Sequence, residues 1–228
     1  MSDPRRVLLA GATGLVGSRV MELAIGQPWL RLIALSRREA PMPRGVRMEM
    51  LVADPQGWSA AVATIAPEAV ICALGTTIRK AGSEEAFRAV DYDLVLSLAK
   101  AAREAEVANF VLVSSAGAAI GAKAFYLRVK GEIETAVTKL RFRRLDIVRP
   151  GLLRGSRSNG ARPLETLGKL ASPLTDLVLH GDNRRYRSID SKIVAAAAIQ
   201  CAHEKAQGRW VHDNDAIRRA ARRLEGIG

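Results

Sequence analysis

Aromatic and metal-binding side chains are scarce in this sequence. Aromatic residues make up 4% of the chain, which has 2 Cys and 3 His. Proteins that bind single-stranded nucleic acid stack its bases on aromatic rings, so that class has little support. No histidine lies at metal-ligand spacing from another, and two cysteines cannot form a zinc site alone, so no metal site is predicted.

Long hydrophobic runs are also missing. No apolar stretch approaches the roughly 20 residues that a membrane-spanning helix needs. The apolar run between Arg6 and Gly11 is too short for the core of a secretory signal. The two cysteines, Cys72 and Cys201, fit a reducing compartment. The sequence therefore predicts a cytoplasmic protein without a membrane partner.

Positive charge is what the chain has in excess. It holds 27 Arg and 8 Lys against 23 acidic residues, a formal net charge of +12. This suits a polyanionic cofactor, a nucleic acid or a membrane surface, although a generally arginine-rich surface gives the same total. The basic clusters are short, at 141–144, 184–187 and 218–223. We expect a small-molecule substrate and do not expect nucleic acid as the primary partner, while the oligomeric state stays open.

Short apolar runs alternate with segments of helical periodicity along the 228 residues. Such alternation predicts one domain, 1–228, with a doubly wound, mostly parallel Rossmann-like α/β sheet and helices on both faces. The predicted strands are 7–10, 32–35, 48–52, 69–73, 110–113 and 145–148, and the predicted helices are 15–25, 84–105 and 125–139. Within the same domain, 151–228 are predicted as a small, mainly helical lid on the substrate side, with helices at 164–170, 191–204 and 215–224.

A glycine pattern follows the first predicted strand and opens the first helix. The first glycine permits a tight turn, the second lets the backbone approach a pyrophosphate, and the third lets the helix pack on the strand. The helix N-terminus then offers free N–H groups to phosphates. Because strand, turn and helix occur in the required order, the pattern predicts a dinucleotide-binding loop. Its residues are Gly11, Ala12, Thr13, Gly14, Leu15, Val16 and Gly17.

The end of the second strand indicates which dinucleotide binds. An acidic residue here would hold the ribose hydroxyls of NAD, but the chain has Ser36, Arg37 and Arg38. A serine can hydrogen-bond a 2′-phosphate and an arginine can pair with it, so the sequence favours NADP (NADPH) as cofactor. Asp54, after the third strand, either accepts from the adenine amino group or caps the turn before Pro55.

Candidate catalytic residues lie on the helix over 125–139 and before it. Tyr126 and Lys130 are four residues apart and share one helix face. A free tyrosine, with a pKa of about 10, is a poor acid–base group at neutral pH, but a nearby ammonium lowers that pKa. The tyrosine can then donate a proton to a carbonyl oxygen as hydride arrives. Ser114 and Ser115 follow the fifth strand, at the sheet edge where doubly wound folds build their sites.

Together these residues resemble the short-chain dehydrogenase/reductase superfamily. Within it, the chain resembles the atypical, NADP-binding members related to the Tat-interacting protein oxidoreductases. The likeness implies an oxidoreductase that transfers hydride to or from a small carbonyl or alcohol. The segments that carry it are Gly11–Gly17, Leu74–Thr77, Lys80–Gly82, Ser114–Ser115, Tyr126–Glu132 and Arg149–Gly151.

The resemblance also implies a role for each residue. Ser115, with Ser114 as the alternative, would hydrogen-bond the substrate carbonyl. Tyr126 would be the acid–base group, and Lys130 would bind the nicotinamide ribose and tune Tyr126. Extended members often carry Asn where this chain has Asp91, which puts the proton relay in doubt. The further cofactor residues implied are Leu74, Gly75 and Thr76 on the nicotinamide side, and Pro150 and Gly151 beside its carboxamide.

Two alternatives stay open. The run Gly11–Gly14 also opens the semialdehyde dehydrogenases, which use a cysteine nucleophile, but Cys72 lies in an apolar strand with no histidine nearby in the sequence. The other alternative is a redox-inactive NADP-binding module with a regulatory or scaffolding role. The complete Ser/Tyr/Lys set favours an enzyme, because a sensor needs no general acid.

Overall fold

A seven-stranded parallel sheet forms the centre of the molecule. The computed structural model describes residues 3–39, 41–43, 48–155 and 186–225. The strand order is β3-β2-β1-β4-β5-β6-β9, and each neighbouring pair is parallel. The strands are β1 (Arg5–Ala10), β2 (Leu30–Ser36), β3 (Glu49–Val52), β4 (Ala69–Cys72), β5 (Asn109–Val113), β6 (Arg144–Val148), β7 (Leu153–Arg154), β8 (Ile189–Asp190) and β9 (Gly208–His212), with β7 and β8 forming a separate parallel pair.

Helices cover both faces of this sheet. Their bounds are α1 (Leu15–Ala24), α2 (Trp58–Ile65), α3 (Ile78–Ala81), α4 (Glu84–Arg88), α5 (Val95–Glu104), α6 (Phe125–Lys139), α7 (Ser191–His203) and α8 (Asn214–Glu225). One apolar core packs α1, α7 and α8 against the sheet, and a second packs α2, α5 and α6 against the opposite face. Strands between two such layers need apolar side chains on both faces, which is why β4 is apolar throughout and β1 and β5 are apolar after their first residues.

The predicted fold class is confirmed, and the six predicted strands occur with small shifts at their ends. The predicted helix over 84–105 is continuous but contains a π-helical turn, Ala89–Leu94, between α4 and α5. Five of the elements named above were not predicted: α2, α3, the paired strands β7 and β8, and the edge strand β9. In β9 the side chains of Trp210 and Val211 are exposed, so the strand lacks the buried apolar run that marks the others.

The predicted helices over 191–204 and 215–224 are present as α7 and α8, but they pack into the core and do not form a lid. Helix α7 is almost entirely buried in the core, and β9 extends the main sheet beside β6. The small residues of α7, mostly alanine, let it lie close to the sheet and to α1. The predicted helix over 164–170 lies outside the described residues, so a lid stays a prediction for that part alone. Among the described helices, none is both long and apolar enough to cross a membrane.

Candidate active site

The glycine loop is shaped by close backbone approaches. Gly11 has φ +90°, and a Cβ there would lie 2.4 Å from the carbonyl oxygen of Ala73. A Cβ on Gly17 would lie 2.1 Å from the carbonyl oxygen of Gly11. Real Cβ atoms do not approach so closely, so both positions need glycine if the turn and the helix are to meet as they do.

The N-terminus of α1 directly follows the turn after β1, and no side chain caps it. Gly14 is its N-cap and supplies no side-chain cap, while the Gly14 N–H donates to the Gly11 carbonyl at 2.9 Å. Amide groups of a first helical turn need outside acceptors, and the helix dipole favours an anion there. Around this turn Ala12 and Val16 are buried and anchor the loop, while Thr13 is exposed. The loop therefore fits the pyrophosphate of a dinucleotide.

Side chains at the ends of β2 and β3 are mostly exposed. The Ser36 hydroxyl donates to the Arg38 carbonyl at 2.7 Å, which fixes the turn after β2. Arg37 and Arg38 are exposed, and neither pairs with a carboxylate within the described ranges. Asp54 is exposed and its carboxylate does not cap the turn over Pro55–Gly57. Ser36, Arg37 and Arg38 could therefore contact a phosphate on the adenosine ribose, and the Asp54 carboxylate could accept from the adenine amino group.

Tyr126 and Lys130 lie on successive turns of α6. Lys130 is 4% exposed, whereas Tyr126 is half-buried and packs its ring against Phe87 with centroids 5.6 Å apart. Burial lowers the pKa of Lys130, but the Asp91 carboxylate and the Tyr126 hydroxyl raise it, and the pKa lies above its usual value. The Tyr126 hydroxyl forms no hydrogen bond to any described residue, so it is free to meet a substrate.

The buried carboxylate of Asp91 lies beside Lys130. In the sequence this residue stood out only because extended members of the superfamily often carry Asn there. Asp91 is fully buried, and its Oδ1 lies 2.7 Å from Lys130 Nζ. Its Oδ2 accepts a hydrogen bond from the Thr76 backbone N–H at 2.8 Å. A π-helical turn carries Asp91, and such turns are frequent at functional sites. Asp91 thus joins α6 to the loop after β4.

The two serines after β5 differ in their partners. Ser114 is buried, and its hydroxyl donates to Glu134 Oε1 at 2.5 Å. Glu134 also accepts from the Arg149 guanidinium, so Ser114 belongs to a closed polar network. Ser115 is half-buried, and its hydroxyl has a single contact among the described residues, to the Ala116 carbonyl at 3.4 Å. This difference favours Ser115 over Ser114 as the residue that meets a substrate.

Close packing brings the serine loop to α6. A Cβ on Gly131 would lie 2.2 Å from the carbonyl carbon of Ala119, so the loop touches the helix backbone beside Lys130. Tyr186 lies over the same loop, since a Cβ on Gly117 would be 3.1 Å from its ring. Sequence reasoning missed Tyr186, because no motif or periodicity marks a residue that comes so much later in the chain.

The remaining predicted cofactor residues lie on neighbouring loops. Leu74, Gly75 and Thr76 follow β4, and a Cβ on Gly75 would lie 3.3 Å from Asp91 Oδ1. Pro150 accepts a hydrogen bond from the Ala116 N–H at 2.8 Å, and the Gly151 N–H donates to Asn214 Oδ1 at 2.9 Å. These loops follow adjacent parallel strands, so they share the sheet edge where ligands bind in doubly wound folds.

Neither cysteine has the surroundings of a nucleophile. Cys72 is fully buried, and burial raises the pKa of its thiol to about 12, so no thiolate forms at neutral pH. Cys201 is buried near His212 and Asp146, a group that could hold a metal. The Arg144 guanidinium, however, contacts both carboxylate oxygens of Asp146, at 2.6 and 2.9 Å. This group is a complete ion-pair network, and it lies away from the glycine loop.

Comparisons with known proteins agree with this geometry. The model of the NAD(P)H-binding family matches residues 11–205. The mitochondrial protein fmp52 of Emericella nidulans is 37% identical over 185 residues, which cover 75% of this chain and 79% of that protein. The mitochondrial fmp-52 of Neurospora crassa is 33% identical over 230 residues and covers 95% of both chains.

Solved structures share the fold at low identity. MoeE5 in complex with UDP-glucose and NAD has a TM-score of 0.68 at 17% identity, over 99% of this chain and 82% of that one. A UDP-glucose 4-epimerase from Thermotoga maritima with UDP-glucose has a TM-score of 0.69 at 15% identity, over 97% and 82%. Likeness at this identity confirms the Rossmann-like fold and does not indicate a substrate.

The predicted cytoplasmic location is wrong. The fungal relatives in Emericella nidulans, Aspergillus fumigatus and Saccharomyces cerevisiae are named as mitochondrial proteins. The prediction rested on the missing secretory signal, the missing apolar span and the free cysteines. None of these features separates the cytoplasm from a mitochondrion, which is why the inference failed.

The narrower likeness to the Tat-interacting protein oxidoreductases stays a prediction, since neither the family model nor these relatives address it. The wider assignment rests on agreement between the family match over most of the chain, the parallel sheet and the crowded glycine turn. The chain therefore belongs to the NAD(P)H-binding family and is a relative of the fungal Fmp52 proteins.

Proposed function

We propose that this protein is an NADP-dependent oxidoreductase that transfers hydride to or from a small carbonyl or alcohol. The observation that carries the proposal is the buried Lys130 ammonium on the same helix face as the half-buried Tyr126. Burying an ammonium is costly even beside the Asp91 carboxylate, which supports a role for the pair beyond stability. The Ser115 hydroxyl, whose one described hydrogen bond is long at 3.4 Å, lies on the loop packed against this helix.

The choice of NADP over NAD rests on the end of β2. Ser36, Arg37 and Arg38 supply a hydroxyl and two exposed guanidinium groups where an NAD enzyme would need a carboxylate. MoeE5, one neighbour of known structure, is a complex with NAD, so the likeness of fold does not favour the phosphate. Charge-assisted contacts to a 2′-phosphate are the physical reason for the preference.

Ser115, Tyr126 and Lys130 have separate roles in the proposed carbonyl reduction. A reduced nicotinamide, when bound, would supply hydride to the carbonyl carbon. Ser115 donates a hydrogen bond to the carbonyl oxygen, and Tyr126 gives that oxygen its proton, so the product is an alcohol. Lys130 favours the resulting phenolate of Tyr126 through its positive charge. In the reverse direction Tyr126, as phenolate, removes the alcohol proton.

Removing only the Tyr126 hydroxyl tests the chemistry. Tyr126→Phe keeps the ring against Phe87, so NADPH should bind about as in the wild type. General acid–base catalysis is worth about 10²–10⁴ in rate, so carbonyl reduction should fall at least about 100-fold. NADPH oxidation is followed optically with a panel of aldehydes and ketones. Tyr186→Phe removes a hydroxyl from the same loop region and serves as the matched control.

A redox-inactive NADP-binding module is the second candidate. The Asp91 carboxylate, 2.7 Å from Lys130 Nζ, already neutralises the Lys130 charge, which leaves less of that charge for catalysis. If NADPH binds tightly and no carbonyl in a broad panel reacts, this alternative is favoured. A wild-type activity that Tyr126→Phe retains in full would instead contradict the proposed acid–base role.

A further inference from the structure

Three elements meet around the buried ammonium of Lys130. The groups that act on its charge are Asp91 from the π-helical turn, Tyr126 from its own helix and Cys72 from β4. Cys72 stays a neutral thiol at neutral pH, because burial raises its pKa to about 12. Among the described groups that act on Lys130, Asp91 is therefore the carboxylate that balances its charge.

The two oxygens of Asp91 have different partners. Oδ1 lies 2.7 Å from Lys130 Nζ, and Oδ2 accepts from the Thr76 N–H at 2.8 Å. Both Asp91 and Lys130 are nearly or fully buried, so water cannot replace either contact cheaply. One carboxylate thus fixes a side chain of α6 and the backbone of the loop after β4 at the same time.

We propose that Asp91 is a positioning residue, which clamps Lys130 and the loop 74–76 together in the geometry that receives the nicotinamide end of the cofactor. The inference rests on the proposed function for the identity of that ligand. The clamp itself rests only on the two contacts and their burial. A π-helical turn supports it, since the wider turn carries an acidic residue into an otherwise apolar layer.

The clamp predicts a distinctive pH dependence of stability. In the wild type the pKa of Lys130 is raised, so its contribution to the free energy of unfolding is complete below about pH 10.4 and is lost above the folded-state pKa. In Asp91→Asn the ammonium stays buried without a counter-charge, so its pKa falls below the unfolded value. The variant should then gain stability as pH rises toward about 10.4.

Urea unfolding of the full chain between pH 7 and 11 measures this difference. The stability deficit of Asp91→Asn should be largest near pH 7 and should shrink as pH rises. Asp93→Asn is the matched control, because Asp93 lies in the same π-helical turn but is exposed, and it should show no such trend. A deficit for Asp91→Asn that stays constant with pH would mean that the residue only accepts a hydrogen bond, and the clamp would be overturned.

NADPH binding, measured by titration of its fluorescence, tests the link to the cofactor. Asn keeps an acceptor for the Thr76 N–H, whereas Asp91→Ala removes both contacts. We expect affinity to fall about tenfold or more in Asp91→Asn and further in Asp91→Ala, as for loss of hydrogen bonds to charged groups. Unchanged affinity in both variants would overturn the positioning role. Failure of the wild type to bind NADPH would overturn the proposed function, while the unfolding experiment would still decide the clamp.

Discussion

The two halves of the sheet contribute different kinds of chemical group to the proposed site. In the half proposed to bind the adenosine end of the cofactor (the cofactor half, β1–β3 and their loops), the candidate groups are backbone amides and exposed side chains such as Arg37 and Asp54. In the half proposed to carry the chemistry (the catalytic half, β4–β6 and β9 with their loops and helices), they are buried charges such as Asp91 and Lys130. An exposed group can be substituted with little effect on folding. Substitution in a buried ion pair should change the stability of the protein as well as its activity.

The catalytic half contains further buried ionic networks besides the Asp91–Lys130 pair. Glu134 joins Ser114 to Arg149, and Asp146 joins Arg144 to His212. Each network links neighbouring elements of this half. Alanine substitutions in the two halves should therefore differ in what they damage.

The largest expected effect is on folding, in the catalytic half. Asp146→Ala leaves the Arg144 guanidinium, whose side chain is 6% exposed, buried without its partner. Breaking such a pair costs about 3–5 kcal/mol in free energy of unfolding. Asp54→Ala, the control in the cofactor half, removes an exposed carboxylate and should stay within about 0.5 kcal/mol. Similar losses for the two variants in urea unfolding would remove the distinction between the halves.

A smaller effect, on binding alone, is expected in the cofactor half. Arg37→Ala should weaken NADP binding by about 1.5–3 kcal/mol, which is roughly one to two decades of affinity, through the lost 2′-phosphate contact. NAD affinity and urea unfolding should not change, because Arg37 is exposed. Calorimetric titration of both dinucleotides, with Arg38→Ala in parallel, measures the preference. Equal affinity of the wild type for NAD and NADP would contradict it.

The smallest effect is expected from the basic surface outside both halves of the site. The arginines of α8, such as Arg219 and Arg222, lie on a strongly charged helix, but their clusters are short. Duplex DNA should bind weakly, without sequence preference, and binding should fall steeply between 50 and 200 mM salt, by decades for about six contacts. Tight, sequence-dependent binding at physiological salt, measured by fluorescence anisotropy, would contradict the expectation of a small-molecule partner.

The same contrast explains what the sequence could reveal. The glycine turn was predictable because Gly11, Gly14 and Gly17 report local backbone crowding within a few residues of each other. The Asp91–Lys130 pair was not, because its partners are distant in the chain and meet only after the sheet forms. The resemblance already preferred Ser115 to Ser114, but the hydrogen bond from Ser114 to Glu134, which gives that preference a physical reason, cannot be read from sequence spacing. Strand β9 was not predicted because an exposed edge strand has no buried apolar run.

The short pair of β7 and β8 ties the chain after the proposed site to the start of α7. Leu153 lies beside Ile189, and the Ile189 N–H donates to the Leu152 carbonyl at 2.9 Å. The next residue, Asp190, caps the N-terminus of α7, a helix that is almost entirely buried in the core. The residues that directly follow Gly151 are therefore held by the core itself, and a substitution that loosens α7 should also loosen this end of the proposed site.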